Sequence, residues 1–151
     1  DSAAGRAILQ SAAAASRSAS PAPELIVVAY ADHERARSLP WELIGRLAAE
    51  AGARGVLLDT WSKDGRDLFS WTRLGELGQW IEWCRQAGLL VALAGSLSLE
   101  GVRRAARLEV DVIGVRGAAC VGGRSGMVDY ARVRALAEAL TASEMASGPA
   151  P

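Results

Sequence analysis

Four short apolar runs divide most of the chain, and each is followed by a segment with helical spacing. The runs are ELIVVAYAD (24–32), RGVLLDT (54–60), LLVALAGSL (89–97) and DVIGVRGAA (111–119). Consecutive apolar positions are typical of strands buried on both faces of a parallel sheet that helices cover. The intervening segments place apolar residues on one helical face. The pattern therefore predicts an α/β chain in which strand and helix alternate four times.

The spacing of these (βα)4 units is close to that of the βα repeat in a TIM barrel. A complete barrel needs eight strands and about 250 residues, so four strands form one half. A half barrel has unpaired strand edges, and the inner face of its sheet is uncovered. We therefore expect association with another barrel half, and an oligomer.

The two ends of the chain differ from this central region of 24–140. Residues 3–16 are rich in alanine, which favours a helix. The segment SRSASPAP (16–23) is expected to be a linker, so residues 1–23 form a helix and a linker. The segment 141–151 is polar, contains glycine and proline, and is predicted to be a disordered tail. Because the chain begins with Asp1 rather than methionine, we expect it to be processed or incomplete.

Composition and charge restrict the function classes. Half the residues are hydrophobic and 23% are charged, which is typical of a soluble globular protein. A net charge of zero argues against a nucleic-acid partner, and the apolar runs are too short to span a membrane. No signal peptide is visible, so a cytoplasmic location is expected. The two cysteines lack metal-ligand spacing, and we expect free thiols, no metal and no cofactor.

In barrels and open α/β sheets, reactive residues collect at the carboxyl ends of the strands. Lys63, just beyond the second strand, is the only lysine among 17 basic residues. A lysine can lose its proton, act as a base or form an imine, whereas an arginine stays protonated. Asp59 lies four residues earlier and could hold and orient the amine for proton transfer beside a carbonyl. The alternative is a solvated ion pair in a polar loop.

The ends of the other strands supply further candidates. Glycines there can bring backbone N–H groups up to an anion, and an arginine adds a fork of donors. The alternative is that the glycines only form tight turns. His33 is interpreted as a solvated loop residue, and Tyr30 and Asp32 are possible site residues. The candidate phosphate-binding residues are Gly95, Ser96, Arg116 and Gly117.

Several of these segments are similar to those of a known family. The segments VVAYAD, LLDTWSKDGRDLFSW, LLVALAGSL and DVIGVRGAACVGG resemble the C-terminal half of the (5-formylfuran-3-yl)methyl phosphate synthase family, from about residue 24 to 140. The resemblance implies a TIM barrel whose strands five to eight are present here. It also implies a cytoplasmic lyase that condenses two glyceraldehyde 3-phosphate molecules into a furan aldehyde phosphate for methanofuran biosynthesis, a part of one-carbon metabolism.

The resemblance assigns roles to some positions. Asp59 and Lys63 match the family's catalytic pair, and the Gly-Ser and Val-Arg-Gly segments match positions suited to substrate phosphate. The lysine that forms the Schiff base and a second proton-transferring lysine belong to the N-terminal half of the family barrel, which has no counterpart here. The chain alone is therefore predicted to be inactive. The alternatives are a non-catalytic half barrel that serves as an assembly partner or fragment, and another phosphate-binding, aldolase-like barrel.

Overall fold

The computed structural model describes residues 1–146 of the chain. Asp1 caps the first helix, because its carboxylate accepts a hydrogen bond from the N–H of Ala4 at 2.8 Å. The α-helices are α1 (Ser2–Ser18), α2 (His33–Ala36), α3 (Trp41–Ala51), α4 (Leu74–Gln86), α5 (Leu99–Ala106) and α6 (Tyr130–Ala146). The strands are β1 (Ile26–Tyr30), β2 (Gly55–Asp59), β3 (Leu90–Leu93), β4 (Val112–Ile113), β5 (Cys120–Val121) and β6 (Met127–Val128).

The first four strands form one parallel sheet in the order β1-β2-β3-β4, which is also their order in the chain. Val28, Leu57, Ala92 and Val112 are aligned across it in register. The prediction of an α/β fold with a four-stranded parallel sheet and intervening helices is confirmed. β5 and β6 form a separate antiparallel hairpin that the apolar pattern did not predict.

The two faces of the four-stranded sheet have different surroundings. One face packs against the helices, where Trp41, Leu77 and Trp80 belong to the same buried cluster as the strands. Side chains on that face are at most 7% exposed: Val27, Ala29, Val56, Leu58, Val91 and Leu93. On the opposite face, Ile26 and Val28 are each 44% exposed and Val112 is 54% exposed. Within residues 1–146, this second face is apolar and uncovered; we call it the bare face.

The fourth strand is much shorter than the predicted run of 111–119. β4 contains only two residues, and Gly117–Ala119 forms a 3-10 turn. Arg116 has φ −130° and ψ −68°, which is not an extended conformation, so no strand can continue through it to residue 119. The apolar composition of this run therefore overestimated the length of the strand.

The first and last helices, α1 and α6, extend into the segments predicted to be a linker and a disordered tail. α1 continues into the predicted linker, and its Ala13 is 3% exposed in contact with the rest of the fold. α6 includes residues 141–146, which were expected to be disordered; most of these are helix-compatible alanine, serine and glutamate that simply continue the preceding turns. Residues 147–151 lie outside the described residues, so disorder there stays a prediction. No helix within residues 1–146 is long and apolar enough to cross a bilayer.

Candidate active site

A cleft of about 580 Å³ lies at the carboxyl ends of β2, β3 and β4. Parallel strands bring their carboxyl ends to one edge of a sheet, so residues distant in sequence meet there. All six residues predicted for catalysis and phosphate binding line this one cleft. Its lining consists of Asp59, Lys63, Gly65, Ala94, Gly95, Ser96, Leu97, Ser98, Gly114, Val115, Arg116, Gly117, Ala118 and Arg124.

The Lys63 amine is held at the beginning of its own loop. Nζ donates to Oδ1 of Asp59 at 3.0 Å, to the Thr60 carbonyl and to the Thr60 hydroxyl at 3.3 Å. Oδ1 of Asp59 also accepts the Thr60 N–H at 2.7 Å, which orients the carboxylate. Both charged side chains are 29% exposed, so they are partly shielded from water yet open to the cleft. The pair can orient an amine toward a bound molecule and exchange a proton with it.

The turn after β3 has an unusual backbone conformation, with positive φ at two successive residues. Gly95 has φ +110°, and a Cβ there would lie 2.9 Å from Cγ2 of Thr60, so a side chain does not fit. Ser96 follows with φ +53°, which is uncommon for a residue other than glycine. Among the described residues, neither N–H donates a hydrogen bond. Two neighbouring N–H groups without protein partners are well suited to bind an anion.

The amino terminus of α5 adds to this turn. Ser98 caps the helix by accepting the Gly101 N–H on Oγ at 3.1 Å. The free N–H groups and the dipole of a helix amino terminus favour a negative charge. The Gly95–Ser98 turn, as we call residues 95–98, therefore presents backbone donors to the cleft.

Two arginines also line the cleft. Arg116 follows β4, and Arg124 belongs to the glycine-rich loop between β5 and β6. The two loops run close together, because a Cβ on Gly117 would lie 3.6 Å from the backbone nitrogen of Arg124. Arg124 is not among the residues predicted from the sequence, although it is the only charged residue in the CVGGRSG segment. With Lys63, the cleft holds three cationic side chains and one carboxylate, which suits a phosphorylated ligand.

Tyr30 and Asp32 do not line the cleft. The Tyr30 ring packs edge-to-face on Trp61 with ring centroids 5.4 Å apart. Asp32 is 3% exposed and accepts hydrogen bonds from the N–H groups of Trp61 at 2.6 Å and Ser62 at 2.8 Å. Burial by itself would raise the pKa of the Asp32 carboxyl, but the bonds from Ser62 and Trp61 together outweigh it and lower the pKa. Both residues thus support the loop that carries Lys63.

Acid is expected to remove the stabilisation that Asp32 provides. Because its pKa is lowered in the folded protein, this contribution is complete above the unfolded value of about 4 and is lost as the pH falls through the folded value. Asp32→Asn should lower the free energy of unfolding by about 1–3 kcal/mol near neutral pH. Denaturant titrations of both proteins from about pH 7 down to about pH 3 would measure the difference, which should shrink with acidity. A difference that does not change with pH would contradict this assignment.

His33 and the two cysteines do not line the cleft. His33 begins α2, and its Nδ1 is buried without a hydrogen-bond partner among the described residues, so the interpretation as a solvated residue is wrong for that atom. Both cysteines are buried and unbonded, and burial raises the pKa of the Cys84 thiol to about 12. Within residues 1–146, no group of three or more His, Cys, Asp or Glu side chains is arranged to hold a metal ion.

One known protein family matches most of the chain. The family model described as 4-HFC-P synthase matches residues 1–137. The chain belongs to this family. The match begins at residue 1, so α1 is part of the family region, and the similarity starts earlier than the segment 24–140 quoted above.

Individual members of the 4-HFC-P synthase family show the same relationship. The chain is 40% identical over 121 residues to the (5-formylfuran-3-yl)methyl phosphate synthase of Methanothermobacter thermautotrophicus, covering 78% of the chain and 51% of the relative. It is 35% identical over 117 residues to the synthase of that name from Archaeoglobus fulgidus, covering 78% and 50%. For the synthase from Methanopyrus kandleri the values are 40% over 118 residues, 77% and 50%. The chain spans about half the length of the curated relatives it matches.

Proposed function

We propose that this chain forms the carboxyl-terminal half of a TIM barrel in a (5-formylfuran-3-yl)methyl phosphate synthase, contributing strands five to eight. The order of the four parallel strands follows the chain, as in a barrel wall, where each helix returns on the same side of the sheet. The bare face, with Ile26, Val28 and Val112, would then point to the barrel interior. The matched relatives are about twice as long as the aligned region, which leaves room for four further strands.

The reaction we propose joins two molecules of glyceraldehyde 3-phosphate into one furan aldehyde phosphate, a precursor of methanofuran. Two three-carbon phosphates supply the six carbons of the product, and the balance releases one phosphate and two molecules of water. Such a lyase needs imine formation to acidify a carbon, and protons must be removed and returned beside that carbon. Protein amines can do this chemistry without a cofactor.

The observation that carries the proposal is the placement of the Asp59–Lys63 pair in the same cleft as the Gly95–Ser98 turn. Lys63 would transfer protons at the reacting carbons, and Asp59 would orient the amine. Lys63 is the only lysine, so it cannot both form the imine and serve as a separate proton-transfer amine. We propose that the amino-terminal half of the barrel, in the same polypeptide or in another, supplies the remaining lysines.

The substrate phosphate is proposed to bind between the Gly95–Ser98 turn and Arg116. Gly95 and Ser96, whose N–H groups have no acceptor among the described residues, line the cleft at the carboxyl edge of the sheet, the position at which barrels often bind phosphate. Arg116 and Gly117 would complete the phosphate site, and Arg124 would add positive charge. Phosphate contacts of this kind hold the substrate and the transition state about equally well.

Arg116→Ala is therefore expected to raise KM by about tenfold or more and to change kcat much less. The measurement is a steady-state assay of furan formation from glyceraldehyde 3-phosphate, with residues 1–151 combined with the amino-terminal half. The matched control is Arg132→Ala on α6, an arginine outside the Asp59–Lys63 cleft. If product never forms in the complete assembly, the proposed function fails; if kcat falls and KM does not, Arg116 is not a phosphate ligand.

A second candidate function is a non-catalytic half barrel that serves only in assembly. The bare face supports it, because an uncovered apolar sheet is an interaction surface whether or not the finished barrel is catalytic. Another phosphate-binding, aldolase-like barrel would use the same cleft with a different carbonyl substrate. The assay above separates these candidates, since only a synthase yields the furan.

A further inference from the structure

The carboxylate of Asp32 is buried at a junction between two loops. It follows β1, and its side chain crosses to the neighbouring loop after β2, where it accepts the N–H groups of Trp61 and Ser62 at 2.6 and 2.8 Å. Bonds from N–H groups to a charged carboxylate are about twice as strong as neutral ones. At 3% exposure, Asp32 makes these bonds out of reach of competing water.

These bonds act on the backbone immediately before Lys63. The amine of Lys63 turns back to Asp59 and Thr60, so its position depends on the backbone path through residues 61 and 62. Arg35 of α2 adds a second link, because its guanidinium donates to Oδ2 of Asp64 at 2.8 Å. Asp32 is also the N-cap residue of α2, and its carbonyl accepts the Arg35 N–H at 2.9 Å. One residue therefore connects the end of β1 to both sides of Lys63.

We infer that Asp32 is a positioning residue that holds the Lys63 amine beside Asp59 through the Trp61–Ser62 backbone. Its functional meaning rests on the proposed role of Lys63, whereas the positioning itself is a property of the chain and is measurable without activity. Trp61 donates to Oδ1 and Ser62 to Oδ2, so in asparagine, which has nearly the same shape, the amide oxygen can replace only one acceptor and the NH2 group would face the other N–H donor. Asp32→Asn should release the loop and the amine.

The single lysine makes this release directly measurable. In a polypeptide of residues 1–151, the amines open to an acylating reagent are those of Lys63 and the amino terminus, and peptide mass spectrometry separates the two products. In the wild type the Lys63 amine is engaged by Asp59 and Thr60 and should react slowly. In Asp32→Asn its rate should rise by about tenfold or more, the factor expected from losing one charge-assisted hydrogen bond. The α-amine serves as the internal reference.

A matched control separates positioning from general loss of stability. Asp111 also accepts a backbone N–H, that of Val91 at 2.8 Å, but at the opposite end of the sheet. Asp111→Asn should leave the Lys63 rate unchanged, with circular dichroism used to choose a temperature at which all variants are folded. Equal Lys63 rates in wild type and Asp32→Asn would overturn the inference, whatever the outcome of the synthase assay.

A measurement on the wild type tests the same inference without any variant. Hydrogen exchange of the Trp61 and Ser62 amides should be at least about tenfold slower than that of the Gly65 amide, which has no partner among the described residues. Exchange of all three at one rate would show that Asp32 does not hold the loop, and the inference would be wrong.

Discussion

Lys63→Arg is expected to lower the turnover of the complete barrel by about 100-fold or more, the usual contribution of a proton-transfer group. Arginine preserves the positive charge and can still pair with Asp59, but it has no proton that it can give up near neutral pH. The change therefore separates charge from acid–base chemistry. The measurement is kcat for furan formation from glyceraldehyde 3-phosphate by residues 1–151 together with the amino-terminal half.

The control is the reverse exchange, arginine to lysine, at a surface position for which no chemistry is proposed. Arg134 pairs with Glu138 on the exposed surface of α6 at 2.8 Å, and Arg134→Lys should leave kcat within about twofold of the wild type. If Lys63→Arg keeps nearly normal turnover, Lys63 supplies only charge. The proton-transfer role would then have to be assigned to another residue of the barrel.

A polypeptide limited to residues 1–151 is expected to form no detectable furan product and to associate in solution. The imine-forming lysine proposed for the other barrel half would be absent, and the single amine of Lys63 cannot take both roles. The wall opposite the Asp59–Lys63 pair would also be missing, so water would enter the site freely. The bare face should then drive pairing with a complementary half or, without one, with a second copy.

Solution mass and activity test this second prediction together. Val28→Lys places a charge on the bare face and should weaken association, whereas Val133→Lys on α6 should not. The two valines are matched, since their exposed fractions are 44% and 43%. Furan product from a monomeric chain without a partner would contradict both the half-barrel proposal and the division of the lysines.

Much of the site could be predicted from the sequence, because its residues lie at the carboxyl ends of successive parallel strands. Asp59, Gly95 and Arg116 each lie at or just beyond the carboxyl end of a strand, and parallel strands must end at the same edge of a sheet. The apolar runs therefore predicted that these residues meet, and all three line one cleft. The lone lysine added Lys63 to this group on chemical grounds alone. Their proposed roles stay predictions.

The loop conformations could be known only from the folded structure, because distant contacts set the course of each loop. Asp32 was a candidate for the site from its position after a strand, yet its side chain turns away and holds the backbone of residues 61 and 62. Arg124 reaches the cleft only because its hairpin folds beside Gly117. Hydrophobic periodicity identifies strands and helices, but it carries no information on the direction of a polar loop side chain. That direction depends on which buried donors and acceptors remain to be paired, and this is known only once the chain has folded.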